Sequence, residues 1–178
     1  MIRALNLLTL AILACVNLTY GIEFRPCSDG KPQPAIVHIE GCPQMPCDIV
    51  RGSNSTMTMV YLSRKLMVYG ILSVWIVLLI ILNNSSAFDA ESLRHEVFMT
   101  VLGITAQMPT VPGQEIGCDW LTGSSCPIHQ GDLVISTHVS VFPPVIYPLL
   151  PYVIEFSILD EQNRVMVCFE YDIQIIAA

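Results

Sequence analysis

Cysteine is the residue type whose number and spacing in this sequence most clearly indicate chemistry. The chain has seven cysteines, and six of them follow the apolar N-terminal segment. An even number of cysteines in a small exported chain predicts disulfides. Their gaps do not form the paired C-x-x-C sets of structural zinc sites. We therefore predict three disulfides among Cys27, Cys42, Cys47, Cys118, Cys126 and Cys168.

Sequence proximity selects among the pairings that six cysteines permit. Two pairs of cysteines each bracket a short stretch of turn residues, which leaves the first and last cysteines for each other. The bond between the first and last cysteines closes the longest loop and should stabilise the folded state most, by roughly 3–5 kcal/mol on the chain-entropy model. Proximity thus favours Cys42–Cys47, Cys118–Cys126 and Cys27–Cys168.

Residues suited to catalysis or metal binding do not form a motif in this sequence. It has no Gly-x-Ser-x-Gly elbow and no glycine-rich phosphate loop. His38, His95, His129 and His138 share no metal-ligand spacing, and Glu155 is interpreted as a solvated carboxylate. We predict no enzymatic activity, no catalytic residue, no cofactor and no bound metal.

The N-terminal segment has the parts of a secretory signal peptide. Arg3 is the charged start, an apolar run extends from Leu7 to Val16, and Gly21 is a small residue suited to cleavage. The alternative is a membrane anchor, although the run is short for a span. We predict a signal peptide at 1–21 and a secreted or extracellular domain at 22–176, with the lysosome as an alternative location.

The charge balance excludes some classes of partner. Fifteen acidic residues against eight basic ones give a formal net charge of −7. Nucleic-acid binding requires basic groups that neutralise phosphate, and electrostatic docking to anionic membranes requires them too. We therefore predict no nucleic-acid partner.

Alternation of apolar and polar residues predicts strands along most of the mature chain. Turn residues separate these runs, and no segment makes a convincing amphipathic helix. About seven short strands with such spacing indicate an all-β fold, specifically a β-sandwich. The predicted strands are 35–40, 48–51, 53–62, 93–104, 132–141, 152–159 and 164–175.

An apolar segment between the third and fourth predicted strands departs from this pattern. Residues 66–82 carry no charge and satisfy the hydropathy of a transmembrane helix. A single span there would separate the first three mature cysteines from the last three. We therefore interpret about 63–87 as an atypical insertion, or as retained intron sequence, with a membrane span as the alternative. Glycosylation sequons on both sides of 66–82 predict modification at Asn54, Asn83 and Asn84.

A series of short motifs extends over about 23–175, apart from the insertion. They are Phe24-Arg25-Pro26-Cys27, Val37-x-Ile39-x-Gly41-Cys42-Pro43-x-x-Pro46-Cys47, Val101-Leu102-Gly103-Ile104, Cys118, Cys126-Pro127-Ile128, Tyr147-Pro148, Val153-Ile154-Glu155-Phe156 and Val167-Cys168-Phe169-Glu170. In order and spacing they resemble the ML lipid-recognition domain family, and most closely its sterol-carrier branch with its many arthropod members. The resemblance implies an immunoglobulin-like β-sandwich, the same three disulfides and no enzyme activity. It also implies a hydrophobic cavity between the sheets for one sterol or other lipid.

The resemblance also assigns residues to that cavity. They are an entrance position, its partner on the facing loop, a Tyr-Pro pair and two interior aromatic positions. The interior positions carry phenylalanine where the family has tryptophan, which keeps apolar surface and loses the indole N–H. The predicted ligand-binding residues are Met108, Pro109, Val141, Phe142, Tyr147, Pro148, Phe156 and Phe169.

The proline-rich stretch 141–152, VFPPVIYPLLPY, suits such a cavity. Its prolines exclude a helix or a central strand, whereas its apolar residues are unusual for a surface loop. We interpret it as one lip of the cavity, with a proline-rich edge packed over the core as the alternative.

The predicted function is therefore a monomeric carrier that binds a sterol or another small lipid and hands it to a membrane receptor or transporter. The alternative is an immunoglobulin-like recognition or innate-immune interaction module, with membrane anchoring through 66–82 as a variant of it.

Overall fold

The segments in which apolar and polar side chains alternate form strands in the computed structural model. The model describes residues 21–63, 89–109, 113, 115–142 and 149–177. Two short 3-10 turns also lie within these residues, at Ser28–Gly30 and Gly117–Trp120, and the second is called the bridging turn below. The strands are β1 (Arg25–Pro26), β2 (Ile36–Ile39), β3 (Cys47–Val50), β4 (Asn54–Leu62), β5 (Leu93–Val101), β6 (Ile104–Gln107), β7 (Leu133–Val141), β8 (Pro151–Asp160) and β9 (Val165–Ile176).

The strands form two sheets. The larger sheet has the order β1-β9-β8-β5-β6, and β3 joins it by pairing in parallel with β9. The smaller sheet has the order β2-β4-β7, and its strands are antiparallel. Buried apolar side chains from both sheets make one core. The all-β sandwich predicted from the alternation is thereby confirmed.

One predicted strand is wrong in its extent. The sequence predicts a continuous strand over 93–104, but β5 ends at Val101 and the chain reverses into β6. Leu102 and Gly103 make the reversal with φ values of 50° and 80°. A two-residue hairpin turn of this kind needs positive φ at both positions, and glycine adopts it without strain. Gly103 was the available sequence signal for this turn.

The N-terminal segment is fastened to the last strand. The short β1, which the alternation did not predict, pairs Arg25 with Glu170 on β9. The Arg25 guanidinium donates two hydrogen bonds to the carboxylate of Asp172, at 2.5 and 2.8 Å. Cys27 then forms a disulfide with Cys168, which is fully buried. The segment before β2 is therefore held by pairing, by charge and by a covalent bond.

The disulfides have the pairing expected from sequence proximity. Their Cα–Cα distances of 5.1 to 5.8 Å are ordinary for the bond. One bond closes the turn before β3, one begins at Cys118 within the bridging turn, and one spans 141 positions of sequence. They are Cys42–Cys47, Cys118–Cys126 and Cys27–Cys168.

Ser63 and Asp89, which flank the interval 64–88, are both held by one loop. The amide of Gly131 donates to the Ser63 carbonyl at 3.1 Å. The amide of the preceding residue, Gln130, donates to the Asp89 carboxylate at 2.6 Å. Ser63 and Asp89 therefore both lie beside the loop at Gln130 and Gly131.

Several predictions fall outside the described residues. These are the signal peptide apart from Gly21, nearly all of the insertion at 63–87, and part of the proline-rich lip. Within the described ranges, no helix has the length and apolar character needed to cross a bilayer. The individual residues concerned are Asn83, Asn84, Tyr147 and Pro148.

Candidate ligand-binding interior

Two of the predicted ligand-binding residues meet between the sheets. Phe156 on β8 and Phe169 on β9 are directly paired across the strands. Their ring centroids are 5.7 Å apart, and both side chains are buried. Tyr171 extends the row along β9, with its ring centroid 5.8 Å from that of Phe169. These rings form the aromatic wall that the larger sheet presents to the interior.

Two histidines of the interior face each other across the sandwich. His95 lies on β5 of the larger sheet and His138 on β7 of the smaller one, with ring centroids 5.1 Å apart. The His138 ring also lies 5.0 Å from that of Phe156. In the sequence, neither histidine has metal-ligand spacing to another, so neither was a predicted site residue. The burial of His95 could have been predicted from the sequence, because it is separated by even numbers of residues from Leu93 and Met99, which are also buried on β5.

Two titratable side chains of this interior, His138 and Tyr61, are uncharged near neutral pH. Burial, with a smaller contribution from neighbouring His95, lowers the pKa of His138 to about 3. Burial alone raises the pKa of the Tyr61 hydroxyl. The carboxylate of Asp160, at the end of β8, is paired with the guanidinium of Arg164 at 2.5 Å. The site is therefore suited to neutral ligand groups.

The bridging turn closes one side of the sandwich at the level of Leu93. It packs against both β5 and β7, and its last residue, Trp120, lies 6.3 Å from His138 between ring centroids. Gly117 is required at its start because an added Cβ would come within 2.8 Å of the Leu93 backbone. β6 and β7 are the terminal strands of their sheets on this same side. The turn was not predicted from the sequence.

Met108, the predicted entrance residue, also lies on this side. Its amide donates a hydrogen bond to the Val97 carbonyl at 2.8 Å, which continues the β5–β6 pairing by one residue. Met108 is partly buried and packs against the core, while the following Pro109 is exposed. The side chain is thus placed at the rim of the interior, and its contact with a ligand stays a prediction.

The facing strand offers two candidates, which the structure places differently. Val141 is the last residue of β7 and is 38% exposed, whereas Phe142 is 2% exposed. The Phe142 amide and carbonyl bond to the backbone of Ser53 and Gly52, respectively. Val141 is therefore the better candidate for the rim, and Phe142 is part of the core.

One group of potential metal ligands occurs among the described residues. Atoms of Cys27, Glu155 and Cys168 lie within 4.8 Å of one another. The two sulfur atoms are bonded to each other, so neither is a thiolate. Glu155 instead lies 3.8 Å from the amine of Lys31. The group therefore functions as a disulfide beside a surface ion pair.

Comparisons with known proteins agree with the two-sheet fold. A protein from the pig, Sus scrofa, named NPC intracellular cholesterol transporter 2, is 24% identical over 172 residues, which cover 97% of this chain and 95% of that protein. The crystal structure of a Niemann-Pick type C2 protein from the Japanese carpenter ant superposes with a TM-score of 0.62 and 17% identity. That match covers 86% of this chain and 99% of the ant protein, and it confirms the immunoglobulin-like β-sandwich.

The family model for the ML domain matches residues 81–175, which is more than half of the 178-residue chain. The match includes β5 to β8 and nearly all of β9, and with them the aromatic wall, both interior histidines and the bridging turn. The chain therefore belongs to the ML domain family, as the sequence motifs predict.

Proposed function

We propose that this protein is a lipid carrier that holds one sterol or similar lipid between its two sheets and passes it on. The observation that carries the proposal is the buried aromatic interior beside the rim at Met108. Membership of the ML domain family supports it. So does the pig relative, whose name describes cholesterol transport and which aligns over nearly the whole chain. Binding without covalent chemistry is the function that suits these residues.

The energy of apolar burial is sufficient for such a role. A lipid that buries on the order of 500 Å² of apolar surface gains roughly 12 kcal/mol at about 25 cal/mol/Å². Lost translational and rotational freedom offsets several kcal/mol or more of this gain. An affinity in the micromolar to nanomolar range, about −8 to −12 kcal/mol, remains accessible.

Methionines give the interior a means to adapt to a ligand. Met57 and Met59 on β4 and Met99 on β5 are buried in the core. Methionine side chains are unbranched and polarisable, so they rearrange around a new apolar surface at low cost. We therefore expect a ligand to replace contacts between the sheets, with the backbone pairing of each sheet retained.

The entrance is tested by Met108→Asp. A carboxylate at the rim must lose hydration when an apolar ligand packs on it. We expect the affinity for dehydroergosterol, a fluorescent sterol, to fall by at least about tenfold, a loss of about 1.4 kcal/mol. Fluorescence titration measures this loss, and circular dichroism checks that the fold is intact.

Met108→Leu is the matched control, because it keeps an apolar side chain of similar size. It should bind dehydroergosterol within about twofold of the wild type. Unchanged binding by a folded Met108→Asp protein would show that the entrance lies elsewhere.

Transfer to a membrane requires an apolar surface near the rim. Leu102 and Ile104, at the turn between β5 and β6, are 84% and 72% exposed. The turn lies on the side of the sandwich that also carries Met108. Exposed apolar residues that cluster in this way mark contact sites for membranes or proteins. In this proposal, the turn touches the membrane while the ligand leaves.

Serine at both Leu102 and Ile104 should slow sterol transfer to phosphatidylcholine vesicles at least threefold, with equilibrium affinity unchanged. Stopped-flow fluorescence with dehydroergosterol measures the transfer rate. Ile36→Ser is the control, since Ile36 is also exposed but lies on β2, at the other edge of the smaller sheet. Equal transfer by the double variant and the wild type would contradict this role of the turn.

The location proposed for the carrier is extracellular or lysosomal, and it acts as a monomer. Three disulfides support an oxidising compartment, because cytosolic thiols are kept reduced. The signal peptide predicted at 1–21 supports the same conclusion.

A further inference from the structure

Four polar side chains of the interior contain atoms that lack a hydrogen-bond partner among the described residues. The atoms are Tyr61 Oη, Trp120 Nε1, Ser136 Oγ and His138 Nδ1, and each is shielded from solvent. The side chains of Tyr61, Ser136 and His138 are more than nine-tenths buried. A buried polar group without a partner costs about 1–3 kcal/mol. Four such groups in one small domain point to a use in binding.

Strand pairing brings two of these groups together. On the smaller sheet, Tyr61 of β4 lies opposite Val134 of β7, and Met59 lies opposite Ser136. Tyr61 and Ser136 are therefore diagonal neighbours on the same face of the sheet, at about 7–8 Å. That face is the inner one, since His138 also occupies it and contacts Phe156 of the opposite sheet.

The other two polar side chains belong to His138 and Trp120, which lie close to Ser136 in the fold. His138 follows Ser136 by two positions on β7 and so shares its face. Trp120, at the end of the bridging turn, lies 6.3 Å from His138 between ring centroids. The residue after Trp120, Leu121, forms a backbone bridge to Ser136. Tyr61, Trp120, Ser136 and His138 are called the polar patch below.

The chemistry of the polar patch favours a neutral ligand group. The indole N–H only donates, and the two hydroxyls both donate and accept. The buried residues of the described chain include no lysine or arginine that would stabilise an anion. An ionised carboxylate would therefore lose its hydration without gaining a countercharge. A hydroxyl group, which has one donor and two acceptor positions, matches the patch best.

We propose that the polar patch is a recognition subsite for the hydroxyl group of a neutral lipid. This inference rests on the lipid-carrier function proposed above, and it specifies the ligand class as sterols and long-chain alcohols. Alkanes of the same length lack the hydroxyl group. Fatty acids ionised at neutral pH present the wrong charge.

Three sixteen-carbon probes test the subsite on the delipidated full chain at pH 7.5. Hexadecanol, hexadecane and palmitate each compete with bound N-phenyl-1-naphthylamine, whose fluorescence reports displacement. We expect hexadecanol to bind at least about tenfold more tightly than either of the other two. In the Tyr61→Phe/Ser136→Ala variant, hexadecanol should bind within about twofold of hexadecane, whose own affinity should not change.

Thermal unfolding of the ligand-free variants separates a binding role from a structural one. Tyr61→Phe/Ser136→Ala removes unpartnered hydroxyls, so its melting temperature should equal or exceed that of the wild type. Ser157→Ala is the matched control, because the Ser157 hydroxyl is buried but donates to Cys168 Sγ at 3.0 Å. The control should retain the preference for hexadecanol.

Other outcomes would overturn the inference in distinguishable ways. If the wild type binds all three probes equally, the subsite is wrong and the carrier function stands. If none of the probes displaces the dye, both proposals are wrong. A lower melting temperature in the double variant would show that the hydroxyls serve the fold instead.

Discussion

Replacing both Cys27 and Cys168 with alanine should lower the free energy of unfolding by roughly 3–5 kcal/mol. The bond joins residues 141 positions apart, and closing so long a loop removes much entropy from the unfolded chain. Domains of this size are stable by only about 5–15 kcal/mol, so the variant should lose a large part of its stability. Urea unfolding under non-reducing conditions, followed by circular dichroism, measures the change.

The bond between Cys118 and Cys126 provides the comparison. It spans 8 positions, for which the same entropy argument gives about 2–3 kcal/mol. The alanine pair at these two positions should therefore cost less than the pair at Cys27 and Cys168. Equal losses would mean that loop length does not determine what these bonds contribute.

Acidification from pH 7.5 to pH 5 should lower the free energy of unfolding by about 2 kcal/mol through His138 alone. Its pKa is about 3 in the folded protein and 6.5 in its model state. The unfolded state therefore binds the proton first. The stabilisation is complete above pH 6.5 and is lost progressively as the pH falls towards 3. Chemical unfolding at intervals between pH 7.5 and pH 5 measures the slope.

The groups around His138 offer a proton on its ring no compensating negative charge. His95 faces it from β5 and Trp120 from the bridging turn, and Phe156 contacts it from β8. On the same face of its own sheet lies the Tyr61 hydroxyl, whose pKa burial raises, so it brings no negative charge near neutral pH. Burial among these neighbours and the proximity of His95 thus disfavour the charged form of His138.

His138→Phe should remove this part of the pH dependence, because phenylalanine retains an aromatic ring and does not titrate. His38→Phe is the control, since His38 is exposed on β2, and it should leave the slope as it is. If His138→Phe and the wild type have the same slope, the buried ring is not the source of the acid sensitivity.

Local sequence patterns predicted most of the strands and the disulfide pairing of this fold. Strand positions followed from alternation, which also places His95 and His138 in the buried phase. Proximity along the chain indicated the disulfides, because two of the bonds close short turns. The β5–β6 reversal was missed because residues 101–104 are apolar on both sides of Gly103. A strand pattern therefore continued across the turn.

The site was less predictable because its parts meet only in three dimensions. Phe156 and Phe169 are brought together by the register of β8 and β9, as the family resemblance implies. The polar patch combines residues from three elements, and single polar residues in strands give no sign of a shared face across a sheet. Trp120 in particular reaches the patch through a short turn that no periodicity predicts.

The anchoring of Ser63 and Asp89 on one loop has a consequence for the chain length between them. Both residues bond to consecutive amides, so the loop fixes the two points that the intervening residues must join. The entropy of joining two fixed points rises only with the logarithm of the intervening length. A change in the number of residues between these two anchors should therefore cost the domain little conformational free energy.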